Sequence, residues 1–433
     1  MELNFKKASC GLLFFFLGLG SELLAAVDAV PGEYVIKFKD SVSVLDVIHQ
    51  LDAGAGFVID VIPEQNTVLL RRPVFELQSS AIDILAEDPN IKIIEPNYIY
   101  HMNKSATDPM FTLMWGLKNT GQYDYQRRLG VAGMDISVDK AWDITTGSKK
   151  VIVAVIDSGI DYFHPDLKEN MWTNTIELNG KSGVDDDSNG IVDDIYGANF
   201  EIPDKPTGSP WDDHGHGTHC AGTIGAKANN GIGGAGVAWE VRLMAIKFLK
   251  ASGSGSLFAA LKGVNYATKM GAKILNNSWG GGGVSETLKE AIEKTNEAGA
   301  LFVVASGNET NDNDKNPRYP ASYDVPNILT VAAVDNQGKL AEFSNYGAST
   351  VHVAAPGVNI LSTINNGKYG YYSGTSMAAP HVSGLAALLS AKEPDLSGRG
   401  LKRRIVATSR SLKSLQGKTK AGLVSAHSAL TVR

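Results

Sequence analysis

The sequence predicts an α/β protein: a parallel sheet with helices on both faces, preceded by a small α+β unit. Three observations carry this. From about residue 108 onward, apolar strands alternate with segments of helical periodicity, the pattern of a parallel sheet. VIVAVID (151–157) is apolar up to its final residue, as a strand buried on both faces must be. Residues 31–101 instead read β-α-β-β-α-β, the split βαβ arrangement.

In the first unit, EYVIKF (33–38) reads as a strand. SVLDVIHQL (43–51) has apolar residues at helical spacing. GFVIDVIP and NTVLLRR are strands, ELQSSAIDILAEDPN is a helix that ends before Pro89, and IKIIEPNYIYH closes as a strand. A polar stretch, MNKSATDP, follows as a linker.

The second unit begins its sheet with VIVAVID. THCAGTIGA is small and apolar, like a buried helix. VRLMAIKFL is a strand, LFAALKGVNYATKMG an amphipathic helix, and KILNNSWG a strand ending in polar residues. VSETLKEAIEKTNEAG is a helix, followed by the strands ALFVVASGN and NILTVAAVD. TSMAAPHVSGLAALLSAKEP is a long helix, and the C-terminal segment closes the unit with further helices. Ligands of such sheets bind at the carboxyl ends of the strands.

Composition bounds the function. The 433 residues exceed one typical domain, and 43% are hydrophobic, enough for a sizeable core. Net charge is −6 without a basic stripe, so no nucleic-acid partner is expected. No solenoid repeat or low-complexity tract is present. Lys6 and Lys7, then an apolar run Leu12–Leu19, then Ala25, Ala26 and Ala29 have the order of a secretory signal. The run is too short to span a bilayer, although a membrane anchor is the alternative. Only Cys10 and Cys220 are present; with Cys10 removed, one thiol and no internal disulfide remain. The expected division is signal peptide 1–26, first unit 31–101, linker with a processing site 102–108, and second unit 109–433.

Three polar clusters sit where such a sheet presents active-site residues. Asp157 ends VIVAVID, His216 lies in DDHGHGTHCAG, and Ser376 lies in GTSMAAPHVSG. A serine hydroxyl needs a base to take its proton, and the base needs a carboxylate to orient it. The chain offers one candidate for each role. Taken singly, each residue reads rather as an N-cap, a turn residue or a structural imidazole than as a catalytic group.

Taken together, the segments resemble those of the subtilisin-like serine proteases, the subtilases. VIDSGID resembles the family's Asp motif, HGTHCAG its His motif and GTSMAAPH its Ser motif, in the Asp…His…Ser order. HGTHC is closest to the proteinase K branch, and WGLKNTGQ (115–122) resembles the start of mature bacterial members. The resemblance covers the chain after about residue 108. It implies a three-layer subtilisin-like domain and a serine endopeptidase with Asp157, His216 and Ser376 as triad. It makes the first imidazole of HGTH the base, which leaves His219 a structural helix residue and His214 a loop residue.

Further expectations follow from the same resemblance. In VVASGNE, Asn308 would donate its amide to the oxyanion together with the Ser376 N–H. In NNSWGGG, Ser278, Trp279 and Gly280 would pair with substrate backbone. Ala305, Ser306 and Gly307 would form the facing wall of the primary pocket. Arg318 falls near the pocket floor, where it either shortens the pocket or favours acidic side chains, or else points to solvent. Tyr319–Pro320 matches a cis-proline position. Cys220 would lie close to His216 and is either a mercurial-sensitive thiol or a small buried helix residue.

Calcium is expected as a structural ion, with no catalytic cofactor. VDDDSNGIVDDIYG holds Asp185, Asp187, Asn189, Gly190, Asp193 and Asp194, oxygen donors alternating before a glycine. Tyr196 stands where an EF-hand has its bidentate Glu, so this is not an EF-hand. Similar insertions bind calcium in bacterial subtilases, and an acidic solvated loop is the alternative. NNGIGGAGV (229–237) resembles a second calcium loop of the family, with Asn230, Asp166 and Asp108 as side-chain ligands.

The first unit resembles the ferredoxin-like inhibitory propeptide of subtilases. The implied partners are protein or peptide substrates and the chain's own propeptide, and a monomer is expected. The implied location is outside the cell, or the periplasm of a Gram-negative source. An inactive relative used as a binding protein, and an acyl transferase or peptide ligase, are the competing functions.

Overall fold

A computed structural model describes residues 29–52, 57–71, 85, 88–99 and 104–432. The expected signal peptide, nearly all of the helix expected over ELQSSAIDILAEDPN, residues 100–101 at the end of the expected first unit and 102–103 of the expected linker lie outside these residues. The chain divides into two compact units, 1–100 and 101–433.

In the first unit, strands β1 (Ala29–Phe38), β2 (Phe57–Ile62), β3 (Thr67–Arg71) and β4 (Ile91–Tyr98) form one antiparallel sheet in the order β2-β3-β1-β4. Helix α1 spans Val44–Asp52. Ile36, Phe38, Val44, Val68, Leu70 and Leu85 form its core. Glu33 is buried at the sheet and accepts hydrogen bonds from Arg71 on β3 and Asn97 on β4, tying three strands together.

The second unit is built on a seven-stranded, all-parallel sheet. Its strands are β5 (Gly147–Asp157), β6 (Gly197–Asn199), β7 (Glu240–Lys247), β8 (Ile274–Asn277), β9 (Leu301–Ala305), β10 (Ile328–Val334) and β11 (Val353–Pro356). They lie in the order β11-β10-β9-β8-β5-β7-β6. The order reverses between β5 and β8, so the crevice at their carboxyl ends is the topological switch point. β12 (Ile360–Ile364) and β13 (Lys368–Tyr372) add an antiparallel hairpin.

Helices cover both faces. α2 (His216–Gly225) and α5 (Thr375–Lys392) pack on one side, against a core that includes Val153, Val155, Leu243 and Val303. α3 (Leu257–Lys269) and α4 (Glu286–Glu297) pack on the other, over Ala154, Ile156, Ile246 and Phe302. Successive residues of β5 thus enter opposite cores, which is why VIVAVID is apolar throughout. Ser256 and Ser285 cap α3 and α4 by accepting the N–H of Ala259 and of Leu288. α2 is made of small residues because it is tightly enclosed: a Cβ on Gly222 would lie 2.1 Å from Thr363 Oγ1. α6 (Gly398–Ala407) and α7 (Ala426–Thr431) close the unit. Among the described residues no helix is long and apolar enough to cross a membrane.

Candidate active site

The end of β5 meets the start of α2. Asp157 is fully buried, and its Oδ1 accepts the Ser158 N–H at 2.7 Å and lies 2.7 Å from His216 Nδ1. Its other oxygen, Oδ2, is buried without a hydrogen-bond partner among the described residues. Gly217 makes this approach possible. A Cβ there would lie 2.1 Å from the Gly159 carbonyl oxygen and 3.1 Å from Asp157 Cβ. Burial works to lower the pKa of His216, but the charge and hydrogen bond of Asp157, with the charge of Asp212, outweigh it and leave the imidazole above its ordinary value.

Ser376 is the second residue of α5. Its Oγ donates to the Ser278 carbonyl at 3.0 Å, and the Ser278 hydroxyl donates back to the Ser376 carbonyl at 2.9 Å. No hydrogen bond joins Ser376 to His216 among the described residues. Both line one cleft of about 750 Å³. Rotation about the Ser376 Cα–Cβ bond moves the hydroxyl among its staggered positions. As a first-turn residue, Ser376 has a backbone N–H without an intrahelical acceptor.

Asn308 follows β9 on the same cleft. Its Oδ1 accepts the Thr375 N–H at 2.8 Å and the Thr375 hydroxyl at 3.0 Å. This fixes the amide with its oxygen occupied and leaves its NH2 as the free donor. Buried Thr375 also receives the Gly307 N–H on Oγ1 at 3.2 Å, so it links the pocket wall to the amide.

The remaining expected residues also line the cleft: Ser278, Trp279 and Gly280 on one segment, and Ala305, Ser306 and Gly307 after β9. Ser278 and Ser306 are nonetheless buried, and their hydroxyls serve the framework; Ser306 Oγ donates to the Asn345 carbonyl. Trp279 packs edge-on against Phe248 at 5.0 Å. Arg318 lies on the cleft wall with Nε 3.9 Å from Glu309 Oε2, so its charge faces a carboxylate. The Tyr319–Pro320 bond is cis.

The other imidazoles separate clearly. His219 is buried, hydrogen-bonded to the Ile360 carbonyl at 2.9 Å and stacked on Tyr372; burial pushes its pKa down to about 3. His214 is exposed in the preceding loop, with its ring 6.2 Å from that of His216. Cys220 Sγ lies within 4.8 Å of a His216 ring nitrogen and an Asp157 oxygen, and burial pushes its pKa well up, which keeps it a thiol.

Two residues beside Asp157 and His216 escaped the sequence reading: Asp212 and Ser158. Asp212 stands four residues before His216, so a carboxylate ahead of a helix start was the available signal.

The acidic loop is more closed than its sequence suggests. Asp185 and Asp187 group with Glu177, each offering one oxygen within 4.8 Å of the others. Glu177 lies outside the loop, and its oxygens also accept the N–H groups of Asp186, Asp187 and Asp193. Asn189 donates its amide to Asp187 and to Asp194. Asp194 is fully buried and also receives Tyr266 and Asn174; burial raises its pKa despite these hydrogen bonds. The donor set Glu177, Asp185 and Asp187 is all oxygen and fits a hard cation such as calcium.

Asp108, Asp166 and Asn230 also converge. Asp108 accepts the N–H groups of Asn229, Asn230 and Gly231. Asp166 accepts Asn230 Nδ2 at 2.8 Å and Tyr369 OH at 2.9 Å, and burial raises its pKa. Asn230 therefore turns its nitrogen to Asp166; coordination would require the opposite face of the amide.

The Subtilase family profile matches residues 148–424. The chain belongs to the subtilase family. The first unit matches the fervidolysin N-terminal prodomain over residues 21–97. This subtilase is 35% identical over 366 residues to a thermophilic serine proteinase of Bacillus sp. (strain AK1), covering 84% of this chain and 79% of that one. It is 40% identical over 285 residues to subtilisin-like protease 1 of Plasmodium berghei, covering 61% of this chain but only 47% of that relative's length. A solved protease from Pseudoalteromonas arctica superposes with a TM-score of 0.60 at 28% identity, covering 76% of this chain and 99% of that one. The chain is thus a subtilisin-like serine protease of α/β fold with an N-terminal prodomain.

Proposed function

We propose that this subtilase is a secreted endopeptidase made as a self-processed zymogen, with Asp157, His216 and Ser376 as its triad. The supporting observation is the 2.7 Å contact between His216 and Asp157, set at the edge of the cleft that Ser376 lines. Ser376 Oγ attacks the scissile carbonyl carbon as His216 Nε2 takes the hydroxyl proton. The carbonyl electrons move to oxygen, where the Ser376 N–H and the Asn308 NH2 receive them. His216 passes the proton to the departing amine, and the C–N bond breaks to leave an acyl-serine. Water then repeats the attack with His216 again as base. Gly280 and the wall Ala305–Gly307 bind substrate backbone and the side chain beside the scissile bond.

In this reading residues 1–26 are the signal peptide, 31–101 the inhibitory propeptide, and 102–108 contain the processing site. Calcium, held by Glu177, Asp185 and Asp187, neutralises carboxylates that otherwise repel one another.

The deciding experiment compares secreted wild-type protein with Ser376→Ala by intact mass, N-terminal sequencing and labelling with a serine-directed fluorophosphonate. Wild type is expected to begin within 102–108 and to label at one site. Ser376→Ala is expected to keep residues 31–101 and not to label. A Ser376→Ala protein that matures alone and hydrolyses peptides would overturn the assignment.

A further inference from the structure

We propose that Asp212 is a positioning residue for the proton-transfer pair, seating the start of the His216 helix on the turn that carries Asp157. The inference rests on the triad reading above. Asp212 is fully buried and five donors converge on its carboxylate. Oδ1 accepts the Ser158 hydroxyl at 2.9 Å, the His214 N–H at 3.0 Å and the Gly215 N–H at 2.8 Å. Oδ2 accepts the Thr218 N–H at 2.9 Å and the Thr218 hydroxyl at 2.6 Å.

These donors come from both halves of the pair. Gly215 and Thr218 flank His216 at the helix start, where unpaired N–H groups need an acceptor and a negative charge is favoured. Ser158 follows Asp157 directly, and its own N–H holds Asp157 Oδ1. The Ser158 hydroxyl, while donating to Asp212, accepts the Gly217 N–H at 2.9 Å. A closed circuit therefore runs from Asp157 through Ser158, Asp212 and the helix start to His216 and back to Asp157. Within it, Asp157 itself keeps one oxygen without a hydrogen-bond partner among the described residues. The imidazole–carboxylate distance is consequently set by the circuit and not by a cradle around Asp157.

The charge of Asp212 acts in the same direction as that of Asp157. The ionisable groups around His216 are Asp157, Asp212, His214, His219, Cys220 and Tyr372, with the Asp213–Lys247 pair beyond. Of these, Asp157 and Asp212 are the two whose charges favour the imidazolium.

The test uses mature enzyme and a chromogenic tetrapeptide p-nitroanilide, with active sites counted by fluorophosphonate titration so that kcat is expressed per competent serine. Asp212→Asn keeps an oxygen for Ser158, His214 and Gly215 but loses the charge and the Thr218 acceptor. Asp212→Ala loses all five. Expected is a kcat about tenfold lower for Asn and about a hundredfold lower for Ala, with KM within about twofold, the signature of misplacement at the reacting centre. The acidic limb of kcat/KM should move down by about half a pH unit in both. Ser158→Ala cuts the circuit without altering charge; its kcat should fall several-fold with the limb in place. Unchanged per-site kcat and limb in a folded Asp212 variant would overturn the proposal. If neither Asp212 variant yields titratable enzyme, wild-type per-site kcat in Ser158→Ala overturns it instead. A wild-type enzyme that neither titrates nor hydrolyses would refute the triad reading and not this one.

Discussion

Asp157 meets His216 through one carboxylate oxygen, 2.7 Å from Nδ1, and keeps the other buried with no hydrogen-bond partner among the described residues. If His216 takes a proton as proposed, the imidazolium is balanced chiefly by a carboxylate whose one other hydrogen bond is the Ser158 N–H.

The first prediction is a pH profile. A general base must be neutral to act, and Asp157 raises the His216 pKa against the opposing effect of burial. The acidic limb of kcat/KM should lie above the ordinary imidazole range. Asp157→Asn should move it down and lower kcat by about 10⁴-fold. A limb that stays in place in Asp157→Asn would show that another group titrates.

Asn308→Ala should lower kcat by about 10²- to 10³-fold with KM nearly unchanged, because the lost donor serves charge that develops only in the transition state. An equal loss in KM would mean that Asn308 binds substrate and does not stabilise the oxyanion.

Gly217→Ala should be lost to folding before it is lost to chemistry. The new Cβ would stand 2.1 Å from a backbone oxygen that cannot swing away. We expect about 3 kcal/mol of destabilisation, read as a lower Tm. Gly283→Ala, where nothing lies within 4 Å, should leave Tm unchanged.

Chelation should lower the Tm of the mature enzyme, and added calcium should restore it. Saturation at a hundred times Kd is worth about 2.7 kcal/mol by mass action. Glu177→Gln should abolish most of the response. A response that survives Glu177→Gln would place the ion elsewhere, with the 229–234 turn the next candidate.

The prodomain should weaken in acid through Glu33. Hydrogen bonds from Arg71, then Asn97, hold its carboxyl below the usual range. A depressed folded pKa adds stability that is present above the unfolded value and is lost as pH falls through the folded one. In a Ser376→Ala precursor, Glu33→Gln should therefore destabilise the first unit at neutral pH and converge with the parent in acid, measured by chemical denaturation.

Local pattern made much of this legible. VIVAVID, VRLMAIKFL, ALFVVASGN and NILTVAAVD are strands because residues buried on both faces must be apolar throughout. The polar clusters at their ends and at two helix starts marked the cleft. Short strands without a pattern of their own were not legible: Gly197–Asn199 and Val353–Pro356 exist because they pair with β7 and β10. Glu177 was illegible for the same reason, since its meaning lies in which donors reach it, and Asp212 offered only its place ahead of a helix start. Asn230 was read as an oxygen donor to a metal; in the fold its nitrogen meets Asp166 and its oxygen accepts the Ile232 N–H.

Thr375 joins two properties that an engineer would wish to vary separately. Its hydroxyl takes the Gly307 N–H from the pocket wall and gives its own proton to Asn308. On the roles proposed above, reshaping that wall to accept a different residue would tilt the amide offered to the oxyanion, so selectivity and speed would share a single lever. Variants selected for new cleavage preferences should accordingly slow down unless a second change near Thr375 restores the linkage.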